Sequence, residues 1–186
     1  MWIPLIVIAG VLGVIALAVI GIYNALVRLR NQVDNAWSQI DVQLKRRHDL
    51  IPNLIETAKG YMKHERGTFE AITEARGKAM GATNVADASK AEGMLGEALS
   101  KFMLVVENYP ELKANQNFLA VQEELTGTEN KIAFARQSYN DQVLFFNNKI
   151  QMFPSNIIAG MFKFSKRDFF EIEVAAEREV PKVSFS

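Results

Sequence analysis

An unbroken apolar run from Trp2 to Ile22 constrains this chain more than any other feature, and the first charged residue of the sequence is Arg28. A helix of about 20 residues, rising about 1.5 Å per residue, is long enough to cross a hydrocarbon core of about 30 Å. Isoleucine, valine and leucine dominate the run, which makes membrane insertion favourable. The sequence therefore predicts a transmembrane anchor over residues 1–27.

Two other interpretations of the run are weaker. A buried core helix is rarely this long without a charge, and a cleaved signal peptide normally opens with a basic region, which is missing here. The small residues of Ala16-Leu17-Ala18 have the form of a cleavage site but lie inside the run. Because Arg28 and Arg30 follow the run and no basic residue precedes it, the positive-inside rule favours a cytoplasmic main domain.

The composition favours helices and excludes several classes of protein. Acidic and basic residues number 21 each, so the net charge is zero, and there is no cysteine. A nucleic-acid-binding protein usually shows a basic domain or stripe, and thiolate chemistry needs cysteine. We predict an all-α fold in which the transmembrane helix continues into an antiparallel bundle of about four long helices. The expected domains are the anchor (1–27), the bundle (28–153) and a Phe-rich strap with an extended tail (154–186).

Apolar residues repeat every seven positions after the anchor, which predicts that the first helix continues into the bundle. One series comprises Leu26, Val33, Ile40, Leu54 and Tyr61, and the second comprises Trp37, Leu44, Ile51 and Ala58. Arg47 occupies the one unfavourable position of the first series. Pro52 lacks an N–H group, so we expect a kink or break near 48–51.

The rest of the chain predicts three further helical segments. The first runs from about Glu65 to Met80 and is followed by a loop over Gly81–Asn84. Asp87 is the expected N-cap of the next helix, over Ala88–Asn108. The last and clearest helix spans about Ala114–Phe153, because its apolar residues follow alternating steps of three and four.

The segment after Pro154 mixes aromatic and basic residues. Such a mixture is typical of an interfacial membrane segment, and it equally suits a strap that covers one end of the bundle. We favour the strap, or a contact with a neighbouring subunit.

Few residues suggest chemistry. His48 and His64 belong to no metal-binding spacing and are expected to be surface or capping residues. The carboxylates of Glu123, Glu124 and Glu129 are expected on a solvated face that is salt-bridged to neighbouring basic residues such as Lys131 and Arg136. We therefore predict no catalytic, cofactor-binding or metal-binding residue, no cofactor and no enzymatic activity.

Lys45-Arg46-Arg47-His48 is the dense basic cluster of the sequence. It lies too far beyond the span to interact with lipids of the same membrane at physiological salt. The preferred interpretation is ion pairing between helices, with Asp41, Asp49 or Glu56 as partners. The alternative is a docking site for another protein.

Several long segments resemble the LemA family of bacterial membrane proteins over nearly the whole chain. The matching segments are Tyr23–Val27, Asn35–Leu54, Glu107–Asn115, Glu129–Arg136, Tyr139-Asn140 and Phe153–Asn156. The resemblance implies a short N-terminal anchor in the bacterial inner membrane and a helical-bundle domain. It also implies a link to magnetosome-associated relatives and to envelope maintenance, but it carries no catalytic residues.

Three hypotheses for the function follow. The first is a membrane-anchored scaffold that acts by self-association, with the lipid bilayer and copies of itself as partners. The second is an adaptor that presents the bundle to a membrane-protein partner such as a protease or stress sensor, with Arg46 and Arg47 as the docking site. The third is an enzyme or ligand-binding bundle, which needs a buried polar cluster that the helical stripes do not reveal. Nucleic acid is not an expected partner.

Overall fold

The computed structural model describes residues 2–171, and over that range it contains α-helices and no strand. The helices are α1 (Ile3–Lys59), α2 (Arg66–Met80), α3 (Val85–Val106), α4 (Pro110–Lys113), α5 (Gln116–Gln151) and α6 (Ser155–Met161). The predicted all-α class and the long apolar N-terminal helix are confirmed. The predicted boundaries of α2 and α5 are correct to within two residues.

Helix α1 continues through Pro52, so the predicted break is wrong. A proline cannot donate to the carbonyl four residues before it, which here is the carbonyl of His48. The Nε atom of Arg76 on α2 donates a 2.7 Å hydrogen bond to that carbonyl oxygen instead. The His48 carbonyl, which has no donor within α1 because of Pro52, is therefore hydrogen-bonded from a neighbouring helix.

Helix α3 begins three residues earlier than predicted, because Asn84 and not Asp87 is its N-cap. The backbone of Asn84 is extended, and its side-chain oxygen accepts a 2.8 Å hydrogen bond from the backbone N–H of Asp87. Asparagine and aspartate cap helices equally well, so the residue type alone does not choose between them. Asp87 lies in the first turn, where a negative charge is also favourable.

The chain forms two compact units. Among the described residues, unit 1 comprises 2–40 and Ala135–Asp168, and unit 2 comprises Asp41–Phe134 and 169–171. Helices α2 and α3 pack against each other in unit 2. The core of unit 2 is apolar and includes Ile51, Leu54, Ala58, Met62, Ile72, Leu95, Phe102, Leu112 and Phe118.

Unit 1 is built from the first part of α1 and the second part of α5. Its buried residues on these two helices follow the predicted stripes and include Leu26, Val33, Ile40, Tyr139, Val143 and Phe146, and α6 adds the buried Ile158. The rings of Trp37 and Tyr139 lie 5.5 Å apart between centroids, which fixes the two helices side by side. Phe153, the last residue of the predicted α5 stripe, is exposed.

Side chains of α5 hold an extended segment after α6 through hydrogen bonds to the backbone of that segment. The Asn147 side chain donates to the Arg167 carbonyl and accepts from the Arg167 N–H, both at 2.9 Å. The Tyr139 hydroxyl donates to the Asp168 carbonyl at 2.9 Å, and the Arg167 guanidinium pairs with Asp34 on α1. The strap predicted for 154–186 is described through Glu171, and its remainder lies outside the described residues.

Tyr139 gives unit 1 a pH dependence at high pH. Burial raises the pKa of Tyr139 from 10.0 to about 12, with Asp168 and Asp34 adding to the shift and Arg167 opposing it. Because the folded state holds this proton more tightly than the unfolded state, the contribution is complete below pH 10 and is lost as the pH rises toward 12. We expect Tyr139→Phe to reduce the fall in unfolding free energy over that interval, as measured by denaturant titrations in detergent.

The matched control is Tyr61→Phe, which removes a hydroxyl from an exposed tyrosine. The control should keep the full fall between pH 10 and 12. Tyr139→Phe should also lower stability at neutral pH by about 1 kcal/mol, because it removes one hydrogen bond. An equal fall in both variants would contradict the assignment of this pH dependence to Tyr139.

Candidate functional site

Unit 2 contains a cluster of buried ionisable side chains, formed by Arg47 and His48 on α1 and Glu92 on α3. Their exposed fractions are 2%, 7% and 1%, respectively. Removing charges from water is costly unless each charge is paired and hydrogen-bonded. We call these three residues the ion cluster and take it as the candidate site, because buried charge in a small helical domain requires a specific explanation.

Both oxygens of the Glu92 carboxylate are used. Oε2 accepts a hydrogen bond from Nη2 of Arg47, and Oε1 lies 2.7 Å from Nε2 of His48. The buried carboxylate therefore links two consecutive residues of α1 to α3.

The Arg47 guanidinium has a second carboxylate partner. Its Nη1 atom donates to Oε2 of Glu129 on α5 at 2.6 Å, and the Glu129 side chain is 55% exposed. Beside it, Arg46 pairs with Glu124 on α5 at 2.5 Å, with both side chains about half exposed. Within unit 2, α1 is thus tied to α3 by a buried ion pair and to α5 by two more exposed ones.

The helical periodicity explains why these charges are buried. Arg47 precedes Leu54 by seven residues, so it lies on the apolar side of α1. Glu92 lies three residues before Leu95 and ten before Phe102, both of which are fully buried on α3. Each charge therefore projects from a core-facing position, and the break in the apolar series at Arg47 was the sequence signal for it.

Several predictions about these residues are wrong. His48 is buried rather than a surface or capping residue, although His64 is exposed as predicted. The expected partners Asp41, Asp49 and Glu56 do not pair with the basic cluster; the partners are the three glutamates Glu92, Glu124 and Glu129. Glu56 pairs with Lys59 instead, three residues along the same helix. The predicted ion-pair partners were wrong because they were chosen from residues near the basic cluster in sequence.

The burial of Arg47 also removes it as a docking residue for another protein. Its two terminal nitrogens are engaged inside unit 2, and its Nε atom is buried without a hydrogen-bond partner among the described residues. The adaptor hypothesis placed docking at Arg46 and Arg47, and Arg46 alone retains an exposed side chain there.

The surroundings of the ion cluster suit a structural role. Two surface cavities of about 790 and 700 Å³ in unit 2 are lined by other residues, the larger by Ile55, Met62 and Phe69 among others. Within residues 2–171, no group of three or more potential ligands is placed to hold a metal ion. The contacts of the ion cluster join α1 to α3 and α5 within unit 2.

Comparisons with known proteins identify one family and several relatives. The LemA family profile matches residues 36–185. Protein LemA of Metamycoplasma hominis is 27% identical over 92% of this chain and 77% of its own length. Magnetosome protein MamQ 2 of Paramagnetospirillum magneticum is 23% identical, and Magnetosome protein MamQ of Magnetospirillum gryphiswaldense is 22% identical. Each of the two matches covers 85% of this chain and 68% of the relative.

Proposed function

Because this chain belongs to the LemA family and opens with a helix long and apolar enough to cross a membrane, we propose that it is a single-pass scaffold of the bacterial cell membrane that acts by self-association. The proposal has two parts. The first is that the apolar run of α1 crosses the bilayer. The second is that the helical domain binds copies of itself and has a structural rather than a catalytic role.

The observation that carries the first part is the exposure of the apolar run. No residue of the run is buried, although the same helix buries Leu26 and Val33 a few residues later. A helix that is apolar on every side is stable only inside a large core or a bilayer. The rest of unit 1 buries none of the run, so a bilayer is the environment that fits it.

The charges that follow the run support an orientation. Arg28 and Arg30 lie just beyond its C-terminal end. Basic residues near the end of a span favour the cytoplasmic side. We therefore place the helical domain in the cytoplasm as part of the proposal.

Exposed apolar side chains support the second part. In unit 2, Phe134 and Leu104 are 76% and 72% exposed, and Val42 also lies mostly in solvent. In the span, Gly10, Gly13 and Gly21 lie on one side of the helix, and a Cβ atom added at any of them meets nothing within 4 Å. Small residues allow close packing of helices in a bilayer, and a second copy would cover both sets.

The test is the particle mass of the full-length protein in mild detergent, measured by light scattering with electron microscopy. One chain has a mass of 20.9 kDa. We expect a defined assembly of several chains, because the exposed apolar side chains of unit 2 remain available for contacts between copies. Phe134→Ser and the double variant Gly10→Leu/Gly13→Leu should each shift the assembly toward smaller particles.

The matched control is Gly67→Leu, at an equally open glycine outside the span. It should leave the particle mass unchanged. A single chain at every protein concentration would overturn self-association. An unchanged mass in all variants would overturn the assignment of these residues to the contact.

A further inference from the structure

The turn that follows α5 and the helix α6 form an apolar tip in unit 1, which we define as residues 152–163. Helix α6 buries Ser155, Ile158 and Ala159 on its inner side. Its outer side exposes Ile157 and Met161 together with Asn156 and Gly160. The large exposed apolar side chains of the tip are Met152, Phe153, Ile157, Met161 and Phe162. A concentration of this kind indicates a binding surface.

Ring contacts place the tip beside the end of the apolar run. The ring of Phe162 lies 4.6 Å from that of Tyr23, and the ring of Phe164 lies 6.0 Å from it. Tyr23 directly follows Ile22, the last residue of the run. Tyrosine at the end of a span lies at the level of the lipid headgroups, so Phe162 reaches that level too.

The backbone at the end of α6 supports this placement. Lys163 has a φ of 57°, in the left-handed region, and the N–H of Phe164 donates to the Ala159 carbonyl at 2.9 Å. This turn ends the helix and returns the chain to α1, where the Arg30 guanidinium lies 5.6 Å from the centre of the Phe164 ring. The Lys163 side chain remains exposed.

The charge of the segment is entirely positive. Between Asp141 and Asp168 the sequence contains Lys149, Lys163, Lys166 and Arg167 and no acidic residue. The side chains of Lys163 and Lys166 are exposed, and Arg167 is paired with Asp34. Basic residues at a membrane surface each contribute about 1 kcal/mol of attraction to anionic lipids.

We propose that the tip is a second membrane contact, which lies in the interface of the leaflet from which α1 emerges. Phe153, Ile157 and Met161 bind among the acyl chains, and Lys163 and Lys166 bind anionic lipid phosphates. A second copy of the chain fits less well, because two tips would bring lysines together without acidic partners. The inference rests on the proposed crossing of the bilayer by α1.

The test uses the absence of cysteine in the sequence. A fluorophore that responds to polarity is attached through Ile157→Cys in the full-length protein, reconstituted in vesicles of phosphatidylcholine with phosphatidylglycerol. Lipids with a quencher on the acyl chain are then added. A fluorophore on a helix that is embedded about 5–10 Å into the interface should lose about half of its emission to such lipids. The emission should also shift to shorter wavelength.

Two reference positions in unit 1 distinguish failure of the tip contact from failure of the anchor. Val14→Cys reports on the span, and Ser38→Cys reports on an exposed site of α1 roughly 24 Å beyond Ile22 along the helix axis. Quenching at Val14→Cys but not at Ile157→Cys would overturn the tip contact and leave the anchor standing. Quenching at neither position would overturn the proposed anchor itself. Emission at Ile157→Cys that changes with protein dilution, without quenching by lipid, would assign the tip to self-association.

A second arm tests the lysines. The double variant Lys163→Gln/Lys166→Gln, in the Ile157→Cys background, should lose the increase in quenching that phosphatidylglycerol adds over phosphatidylcholine alone. The control Lys163→Arg/Lys166→Arg keeps both charges and should retain that increase. If the glutamine variant responds to phosphatidylglycerol as the arginine variant does, the lysines do not bind anionic lipid.

Discussion

Replacing Glu92 with glutamine should lower the free energy of unfolding by about 3–5 kcal/mol, because the change leaves the Arg47 charge buried without its main counter-ion. Glutamine has nearly the same volume, so the loss does not come from a cavity. Arg47 retains Glu129, but that carboxylate is 55% exposed and more strongly screened by solvent. Denaturant unfolding in detergent, followed by circular dichroism, measures the change, and hydrogen exchange of α3 peptides locates it in unit 2.

Glu129→Gln is the matched control, since it makes the same chemical change at the other partner of the same guanidinium. An ion pair with one exposed member contributes under about 1 kcal/mol. The two variants should therefore differ by several-fold in their effect. Equal losses would contradict the conclusion that burial of Glu92 gives this pair its importance.

A double replacement distinguishes the effect of the buried charges from the effect of side-chain volume. Arg47→Met with Glu92→Leu removes both buried charges and should be less destabilised than Glu92→Gln, since apolar replacement of a buried pair is often neutral. The double variant also removes the carboxylate partner of His48. A double variant that folds stably but no longer assembles would assign the ion cluster a role beyond packing.

Periodicity predicted which faces of the helices are buried, because that signal is local. The apolar run located the start of α1, and the three-and-four spacing located α5 to within two residues at each end. The unfavourable position of Arg47 in its series also marked a buried site. The spacing did not identify its partner, since Glu92 lies 45 residues away on another helix and local sequence does not determine which helix faces will meet.

Pro52 is a second case in which a contact from another helix overrides a local rule. The local rule that proline interrupts a helix holds when the freed carbonyl has no other donor. Here Arg76, 28 residues from His48, supplies the hydrogen bond, so the helix continues. Both failed predictions in this region arise from arginine side chains that reach across helices, and a prediction from neighbouring residues alone omits them.

Phe102→Ala should produce a loss as large as that of Glu92→Gln but from a different cause. The Phe102 side chain is fully buried, and its ring lies 6.1 Å from Phe69 and 6.4 Å from Phe118 between centroids. Truncation of a buried phenylalanine leaves a cavity and costs about 3–5 kcal/mol. The same denaturant titration measures the loss, which is a large fraction of the roughly 5–15 kcal/mol that stabilises a typical domain.

Leu104→Ala, two residues further along α3, is the matched control because its side chain is 72% exposed. It removes apolar volume from the same helix without opening a cavity, so the free energy of unfolding should change by no more than about 0.5 kcal/mol. If self-association buries Leu104, the control should reduce particle mass while leaving stability intact. A loss of stability at Leu104 equal to that at Phe102 would instead show that the two faces of α3 are wrongly assigned. The free energy of unfolding thus reports on the buried face of α3, and the particle mass reports on its exposed face.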